Sequence, residues 1–259
     1  MDYEGIILDK EAGIATITLN RPEQLNAISP AMAQSLVRAL DDIDKDDSLK
    51  VVIITGAGRG FCSGADISTF EGMDKMSHKE MGDALRRWTL PLYNFPKPTI
   101  AAINGAATGA GLSWAMLCDI RIASEKARFS SAFIRVALVP DTGASYLLPR
   151  IAGSAKAMEL MLTGDIIDAA EAQRLGIVNK VVPEQELMKE ARQLAERMAR
   201  GPSIAIGLTK QAIKRGVHNN LEQQVEFESF AQHICLKTED NKEAARAFFE
   251  KRQPEFKGR

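Results

Sequence analysis

Two glycine- and alanine-rich stretches decide how this chain folds, FCSGADI at residues 61–67 and INGAATGAGLS at residues 103–113. Each follows an apolar run that predicts a buried strand, VVIIT at 51–55 and PTIAAIN at 98–104. Glycine at the end of a strand permits positive φ angles and lets a ligand approach the backbone closely. The second stretch also opens a helix-like segment at 111–118, whose free N–H groups and dipole point toward the turn. The two turns therefore predict a site that favours negative charge.

The spacing of the glycines indicates which kind of negative charge the site holds. No Gly-Lys-Ser or Gly-Lys-Thr follows them, and GAGRG at 56–60 is not a GxGxxG motif before a helix, so a phosphate cradle is the weaker interpretation. Two converging N–H donors suit a developing oxyanion, where the loss of one donor typically costs ~2.7–4 kcal/mol of barrier. One glycine-rich loop is most often a plain strand exit, but two of them after two buried strands favour an oxyanion hole.

Strand and helix patterns alternate through the first two thirds of the chain. GIATITLN at 13–20 alternates like a half-buried strand, residues 33–43 carry apolar side chains at helical spacing, and IRIA at 120–123 is a further strand. A helix is predicted from Ala144 to Arg150. Such alternation is typical of α/β folds.

Strand patterns end at about residue 183. The segments that follow predict amphipathic helices at 184–200, 203–216, 221–236 and 239–251. We expect a core of residues 1–183 and a helical oligomerisation region of residues 184–259. The apolar residues of that region exceed what a thin helical layer can cover, for instance Val225, Phe227, Phe230 and Ile234. Association with further copies of the chain would cover them.

Composition narrows the class of protein. The 259 residues are 45% hydrophobic and 26% charged, which is typical of a globular chain. Thirty-three basic residues oppose 34 acidic ones, so the chain lacks the basic field of a nucleic-acid or membrane-surface binder. It shows no signal-peptide pattern and no apolar run of ~18–20 residues. The three cysteines have no CxxC spacing and suit reduced, buried thiols. We expect a cytoplasmic protein without a nucleic-acid or membrane partner.

Several motifs in order resemble the crotonase (enoyl-CoA hydratase/isomerase) superfamily over nearly the whole chain. They are NRPEQLNAIS at 20–29, FCSGADI at 61–67, AINGAATGAGLSWAMLCDIRIAS at 102–124 and RQPEFKGR at 252–259. The resemblance implies an α/β, ClpP-like core of ββα superhelical turns and a C-terminal helical trimerisation region. It also implies an acyl-CoA substrate, homotrimers or dimers of trimers, no metal, and no cofactor besides the coenzyme A of the substrate.

The resemblance assigns roles to single residues. The oxyanion donors would be the backbone N–H groups of Ala65 and Ala110, and alanine at 110 replaces a commoner glycine without removing the donor. The residues that bind coenzyme A would be Gln24, Leu25, Ala27, Asp66 and Ile67. Phe256 and Lys257 would join them from the tail of this or a neighbouring subunit. Arg59 is a candidate phosphate partner.

The reaction depends on which acid or base faces the activated acyl group. Ser113 and Phe133 stand where the resembled hydratases carry two glutamates, and neither can act as a base. Asp141, in Pro-Asp-Thr-Gly, could be a helix N-cap. Its segment resembles the branch of ring-1,2-epoxyphenylacetyl-CoA isomerases and Δ3,Δ2-enoyl-CoA isomerases, which implies a single catalytic aspartate here. We expect the apolar residues Phe133, Val136, Ala137 and Leu138 to raise its pKa.

Other functions stay open. Enoyl-CoA hydration with one carboxylate is the main alternative, and Glu71, Asp74 or Glu80, expected in a mobile stretch, could supply a second acid. A 4-chlorobenzoyl-CoA dehalogenase would pair Asp141 with a tryptophan at position 133 and a histidine near Arg86, and this chain has neither. An RNA-binding non-enzyme is disfavoured by the near-zero net charge.

Overall fold

The computed structural model describes residues 3–70 and 75–259, which form two sheets and ten α-helices. The larger sheet has the order β1-β2-β3-β5-β7-β10, and the smaller one has the order β4-β6-β8-β9. The strands of the larger sheet are β1 Ile6–Glu11, β2 Ile14–Leu19, β3 Val51–Gly56, β5 Thr99–Ile103, β7 Ile120–Ser124 and β10 Lys180–Val182. Those of the smaller sheet are β4 Gly60–Cys62, β6 Ala106–Thr108, β8 Arg128–Ser130 and β9 Ile166–Asp168.

Parallel pairing fixes where a ligand can bind. Strands β2, β3, β5, β7 and β10 run parallel, and β1 pairs antiparallel with β2. The apolar runs at 51–55 and 98–104 form β3 and β5, which are buried along almost their whole length. Because parallel strands share one carboxyl edge, the glycine-rich stretches after β3 and β5 leave the sheet side by side.

Each of three large-sheet strands leads into a short strand of the second sheet, β3 into β4, β5 into β6 and β7 into β8. The short strands pair parallel with one another. This repetition is the predicted superhelix. The two stretches that were predicted as turns also include strand residues, since β4 overlaps the start of the first stretch and β6 lies within the second. Strands of three residues are too short to show an alternating pattern in the sequence.

Helices cover both faces of the larger sheet. The α-helices are α1 Pro30–Asp44, α2 His78–Tyr93, α3 Ala110–Leu117, α4 Ala144–Ala152, α5 Ser154–Thr163, α6 Ala169–Arg174, α7 Leu187–Ala199, α8 Ser203–Gly216, α9 Leu221–Lys237 and α10 Glu239–Glu250. Helix α1 begins three residues before the predicted pattern at 33–43, because Ser29 caps it and Pro30 supplies its first residue. Helix α7 buries Leu187, Ala191 and Ala195 against the sheet, so the first helix after residue 183 completes the core.

Helices α8 to α10 match the helices predicted after residue 203 to within one residue at either end. They leave large apolar side chains in solvent, with Leu221 80%, Phe248 80% and Phe249 82% exposed. Val225 and Phe230 are also exposed, whereas Phe227 and Ile234 are half-buried. Within residues 3–70 and 75–259, no helix combines the length and apolar character that crossing a bilayer requires.

Candidate active site

The two glycine-rich stretches meet backbone to backbone. The Thr108 hydroxyl donates to the Ser63 carbonyl at 2.8 Å, which links one stretch to the other. A Cβ added to Gly64 would stand 3.0 Å from the Thr108 carbonyl oxygen and 3.5 Å from the Ala110 nitrogen. Gly64 also has φ +102°, which L side chains rarely adopt. Residue 64 is therefore glycine because of its conformation and because the second stretch lies against it.

Glycine elsewhere in these stretches permits the same close approach. A Cβ on Gly111, in the first turn of α3, would stand 2.2 Å from the Cys62 carbonyl oxygen. A Cβ on Gly105 would stand 2.0 Å from the Arg59 carbonyl oxygen. Neither position can hold a side chain without displacing the backbone of the other stretch, so the sequence fixes the distance between the two turns.

Two backbone donors are left free where the stretches meet. Ala110 is the first residue of α3, where an N–H has no partner inside the helix. The neighbours of Ala65 are engaged, since the Ile28 N–H donates to the Gly64 carbonyl at 2.7 Å and the Asp66 N–H to the Ile28 carbonyl at 3.0 Å. Across the described parts of the chain, the N–H groups of Ala65 and Ala110 donate to no other group. These two free N–H groups are the ones that the sequence predicts as oxyanion donors, and that role stays a prediction.

The backbone of Asp141 is tied to α3, the helix that begins with the Ala110 donor. The Ser113 hydroxyl, on α3, is 3.3 Å from the carbonyl oxygens of both Gly109 and Asp141. Because Ser113 follows Ala110 by about one helical turn, ~5 Å along the axis, this bond anchors the carbonyl of Asp141 near the first turn of α3. Ser113, which stands where the resembled hydratases carry a glutamate, thus ties the aspartate segment to α3.

The surroundings of Asp141 make it a better base than an ordinary aspartate. Burial raises the pKa of its carboxyl group, and a hydrogen bond from the Thr142 hydroxyl at 2.8 Å partly opposes that effect. The N-cap interpretation is wrong, because the cap of α4 is Gly143 and no side chain caps that helix. The carboxylate is therefore available for chemistry.

The apolar environment of Asp141 differs from the expected one. Phe133 is buried with 7% exposure, as predicted. Val136, Ala137 and Leu138 are exposed, because the short helix at Ala132–Val136 ends with Ala137 at φ +57° and the chain turns outward. That these residues raise the pKa of Asp141 stays a prediction, although the pKa moves in the predicted direction.

The acidic residues after the first turn do not form a second acid site within the described residues. Glu80 does not lie in a mobile stretch as expected, because it is the third residue of α2 and its carboxylate accepts bonds from the Ser77 N–H and hydroxyl at 2.8 and 2.7 Å. These bonds lower the pKa of Glu80 and hold it as a helix cap. Glu71 and Asp74 lie outside the described residues.

The loop with the predicted coenzyme A residues packs on the first glycine-rich stretch. The Ser63 hydroxyl donates to the Gln24 carbonyl at 3.1 Å, and the Ser63 N–H donates to the Leu25 carbonyl at 3.0 Å. Ala27 is buried, and its carbonyl accepts a bond from Arg21 at 2.5 Å. Gln24, Leu25 and Ala27 therefore lie beside the turn that carries Ala65.

Asp66 is already engaged by its own loop. Its carboxylate accepts a bond from the Ser68 hydroxyl at 2.7 Å and pairs with Arg21 at 2.7 Å, and both contacts lower the pKa of Asp66. Ile67 beside it is 63% exposed, and Arg59 is exposed as well. The side chain of Asp66 thus orders the loop, while the apolar side chain of Ile67 stays exposed.

Phe256 and Lys257 lie apart from this site. The Lys257 N–H donates to Asp240 at 2.7 Å, and a Cβ on Gly258 would stand 3.1 Å from the Lys50 ammonium nitrogen. Lys50 immediately precedes β3, whereas the glycine-rich stretch follows its other end, and six strand residues span ~20 Å. Hydrogen bonds join the first glycine-rich stretch to the second and to the loop of Gln24 and Leu25, and Ser113 joins the second stretch to Asp141, whereas the tail lies apart.

Sequence reasoning missed a buried amide that shapes the first turn. Asn26 is fully buried, and its side-chain NH2 donates to the carbonyls of Ala57 at 2.9 Å and Gly60 at 2.8 Å. Its side-chain oxygen accepts from the Arg21 N–H at 2.9 Å. The only sequence signal for this turn was an asparagine inside NRPEQLNAIS, because asparagine tolerates the positive φ that Asn26 adopts.

Comparison with known proteins places the chain in a family. The enoyl-CoA hydratase/isomerase family matches residues 9–259, so the chain belongs to that family and to the crotonase superfamily that the motifs resemble. The family consists of enzymes, and this chain is one of them.

The similar proteins include both an isomerase and hydratases. The chain is 38% identical to the 1,2-epoxyphenylacetyl-CoA isomerase of Escherichia coli K12 over 260 residues, with 99% of each chain covered. It is 40% identical to the short-chain-enoyl-CoA hydratase of Clostridium acetobutylicum over 261 residues, with each chain covered in full. A solved enoyl-CoA hydratase structure from Geobacillus kaustophilus has a TM-score of 0.94 at 34% identity, again with both chains covered in full. These matches confirm the predicted crotonase fold.

Proposed function

We propose that the protein is an enoyl-CoA isomerase that moves a double bond, or rearranges a ring, of an acyl-CoA by means of one carboxylate, Asp141. The observation that carries this proposal is the bond from the Ser113 hydroxyl to the Asp141 carbonyl, which ties Asp141 to the helix that begins with the free Ala110 N–H, together with a pKa of Asp141 that burial raises. The buried Ser113 and Phe133 offer no carboxylate for water activation.

The proton transfers follow from this arrangement. The N–H groups of Ala65 and Ala110 bind the thioester oxygen and make the C2 proton acidic. Asp141 removes that proton from a 3-enoyl-CoA, and the electron pair of the C2–H bond passes into a dienolate whose negative charge lies on the thioester oxygen. The protonated Asp141 returns the proton to C4, the carbonyl re-forms, and the product is a 2-enoyl-CoA. No water enters, and Asp141 ends as a carboxylate.

The coenzyme A portion of the substrate would lie along the loop of Gln24, Leu25 and Ala27 and beside Ile67. These residues adjoin the turn that carries Ala65, so the thioester would reach the hole from this side. The chain's own tail lies at the opposite end of β3, so Phe256 and Lys257 could assist only from a neighbouring subunit. The exposed apolar residues of α9 and α10 support a homotrimer or a dimer of trimers.

Hydration of a 2-enoyl-CoA is the second candidate. It is favoured by the short-chain-enoyl-CoA hydratase that is 40% identical to this chain. Hydration must place a water molecule and move two protons, which is harder for one carboxylate. The dehalogenase alternative is weaker, because Arg86 is exposed and pairs with Asp83 at 3.0 Å where a histidine is required.

Isotope exchange distinguishes the candidates. The native protein, Asp141→Asn and the exposed control Asp9→Asn are each incubated with 3-enoyl-CoA or 2-enoyl-CoA in deuterated water, and the products are identified by mass spectrometry and NMR. We expect deuterium at C2 or C4, normal rates for the control, and loss of isomerisation in Asp141→Asn. Fast hydration of 2-enoyl-CoA that survives in Asp141→Asn would refute the proposal.

A further inference from the structure

The residue after Asp141 has an unusual backbone. Thr142 has φ +50° and Gly143 has φ +82°, and the Ala144 N–H donates to the Asp141 carbonyl at 2.9 Å. Two central residues of positive φ define a turn that glycine, asparagine and aspartate normally occupy. A β-branched residue with positive φ is a genuine outlier. The turn therefore holds threonine against its conformational preference.

The side chain of Thr142 accounts for this choice. Thr142 is 7% exposed, and its hydroxyl donates to Oδ1 of Asp141 at 2.8 Å. Glycine or asparagine would suit the backbone better, but glycine has no hydroxyl to donate. Backbone strain next to a functional carboxylate is the pattern expected where geometry is maintained for function.

We propose that Thr142 is a positioning residue that selects Oδ2 of Asp141 as the oxygen that carries the proton, an inference that rests on the proposed isomerase function. The Thr142 hydroxyl occupies Oδ1 while the carboxylate is ionised and while it is protonated. The bond C2–H breaks and Oδ2–H forms, and then Oδ2–H breaks and C4–H forms. With Oδ1 held, the carboxyl group does not rotate between the two transfers, so one oxygen faces C2 and C4 in turn.

The segment is held from three sides, so the hydroxyl acts on a fixed backbone. Ser113 bonds the Asp141 carbonyl from α3, and a Cβ on Gly143 would lie 3.6 Å from the methyl carbon of Thr89 on α2 and 3.6 Å from Leu147 on α4. Within the described residues of these elements, burial and the Thr142 hydroxyl are the influences on the pKa of Asp141, and no charged group on α2, α3 or α4 adds to them.

A pair of variants that differ in one oxygen atom isolates this role. Thr142→Ser keeps the hydroxyl and Thr142→Ala removes it, while both relieve the β-branched strain, so both should fold. We expect kcat of the serine variant to stay within about 3-fold of native, and kcat of the alanine variant to fall about 10- to 100-fold with little change in KM, as is typical for the loss of a hydrogen bond to a charged group. Thr142→Val, which keeps the shape, should resemble the alanine variant.

Two further readouts separate positioning from a purely structural role. Loss of the hydroxyl raises the pKa of Asp141, so the acidic limb of the kcat/KM profile should move to higher pH in the alanine variant and stay in place in the serine variant. With 3-enoyl-CoA deuterated at C2 in ordinary water, the share of deuterium returned to C4 should fall in the alanine variant. Melting temperatures and gel filtration show whether each variant keeps the native assembly.

The outcomes are decisive in both directions. Native kcat, pH profile and deuterium return in Thr142→Ala would overturn the inference, as would equal losses in the serine and alanine variants. If Asp141→Asn is inactive while Thr142→Ala behaves as native, the positioning role fails and the proposed function stands. If Asp141→Asn still isomerises, the proposed function itself fails.

Discussion

Replacement of Gly64 by alanine should abolish most catalysis. The added Cβ would stand 3.0 Å from the Thr108 carbonyl oxygen and 3.5 Å from the Ala110 nitrogen, at a residue with φ +102°. The backbone must shift to accommodate it, and the Ala65 N–H follows Gly64 directly. Loss of one oxyanion donor costs ~2.7–4 kcal/mol, which corresponds to about 100- to 1000-fold in kcat.

Gly153→Ala is the matched control. Gly153 also has positive φ, at +80°, but a Cβ there would meet nothing within 4 Å. Both variants should lose ~1–2 kcal/mol of stability through backbone strain, measured by urea unfolding. The assay is steady-state kinetics with 3-enoyl-CoA, where the control should keep native kcat. Near-native kcat in Gly64→Ala would refute the assignment of the oxyanion hole to these two turns.

Three other perturbations test further parts of the account. Asn26→Ala should lower the free energy of unfolding by about 2 kcal/mol or more in urea titrations, since it leaves the Arg21 N–H and the Ala57 carbonyl without their bonds and leaves the Gly60 carbonyl only its bond from Asn104. A loss below about 1 kcal/mol would contradict this. Burial raises the pKa of Asp141 in the folded state, so ionisation of this carboxyl group destabilises the fold as pH rises through that pKa. The melting temperature of Asp141→Asn at pH 7 should therefore equal or exceed that of the native protein. A clearly lower melting temperature would argue against a buried carboxylate. The double variant Ser113→Glu, Phe133→Glu should show a higher ratio of hydration rate to isomerisation rate, measured with 2-enoyl-CoA and 3-enoyl-CoA. An unchanged ratio in a folded double variant would mean that these two positions do not determine which reaction occurs.

The elements that position the site follow from local sequence. Val51 to Thr55 and the run at 98–104 are apolar without interruption because both faces of β3 and β5 are covered, and such runs are visible in the sequence. The free N–H of Ala110 follows from a helix that begins at that residue. The helices after residue 203 have clear breaks at their ends and were predicted almost to the residue.

What the sequence did not reveal depends on contacts between distant segments. The strands β4 and β6 are three residues long, and only their pairing with each other identifies them. Ser113 was predicted as the place of an absent glutamate, and its bond to Asp141 joins residues 28 positions apart. The outward turn at Ala137 depends on a positive φ at an alanine, which no residue preference signals. Asp66 was predicted as a ligand residue, but its pairing with Arg21, 45 residues away, was not.

The most direct test of the central claim is a crystal structure with an enolate analogue such as acetoacetyl-CoA bound. We predict that the thioester oxygen lies ~2.7–3.1 Å from the nitrogens of both Ala65 and Ala110, the distance expected of oxyanion donors. Oδ2 of Asp141 should face the C2 and C4 carbons of the acyl group while Oδ1 keeps its bond to Thr142. A thioester oxygen bound away from both nitrogens, or a water molecule held between Asp141 and a second carboxylate above C3, would contradict it.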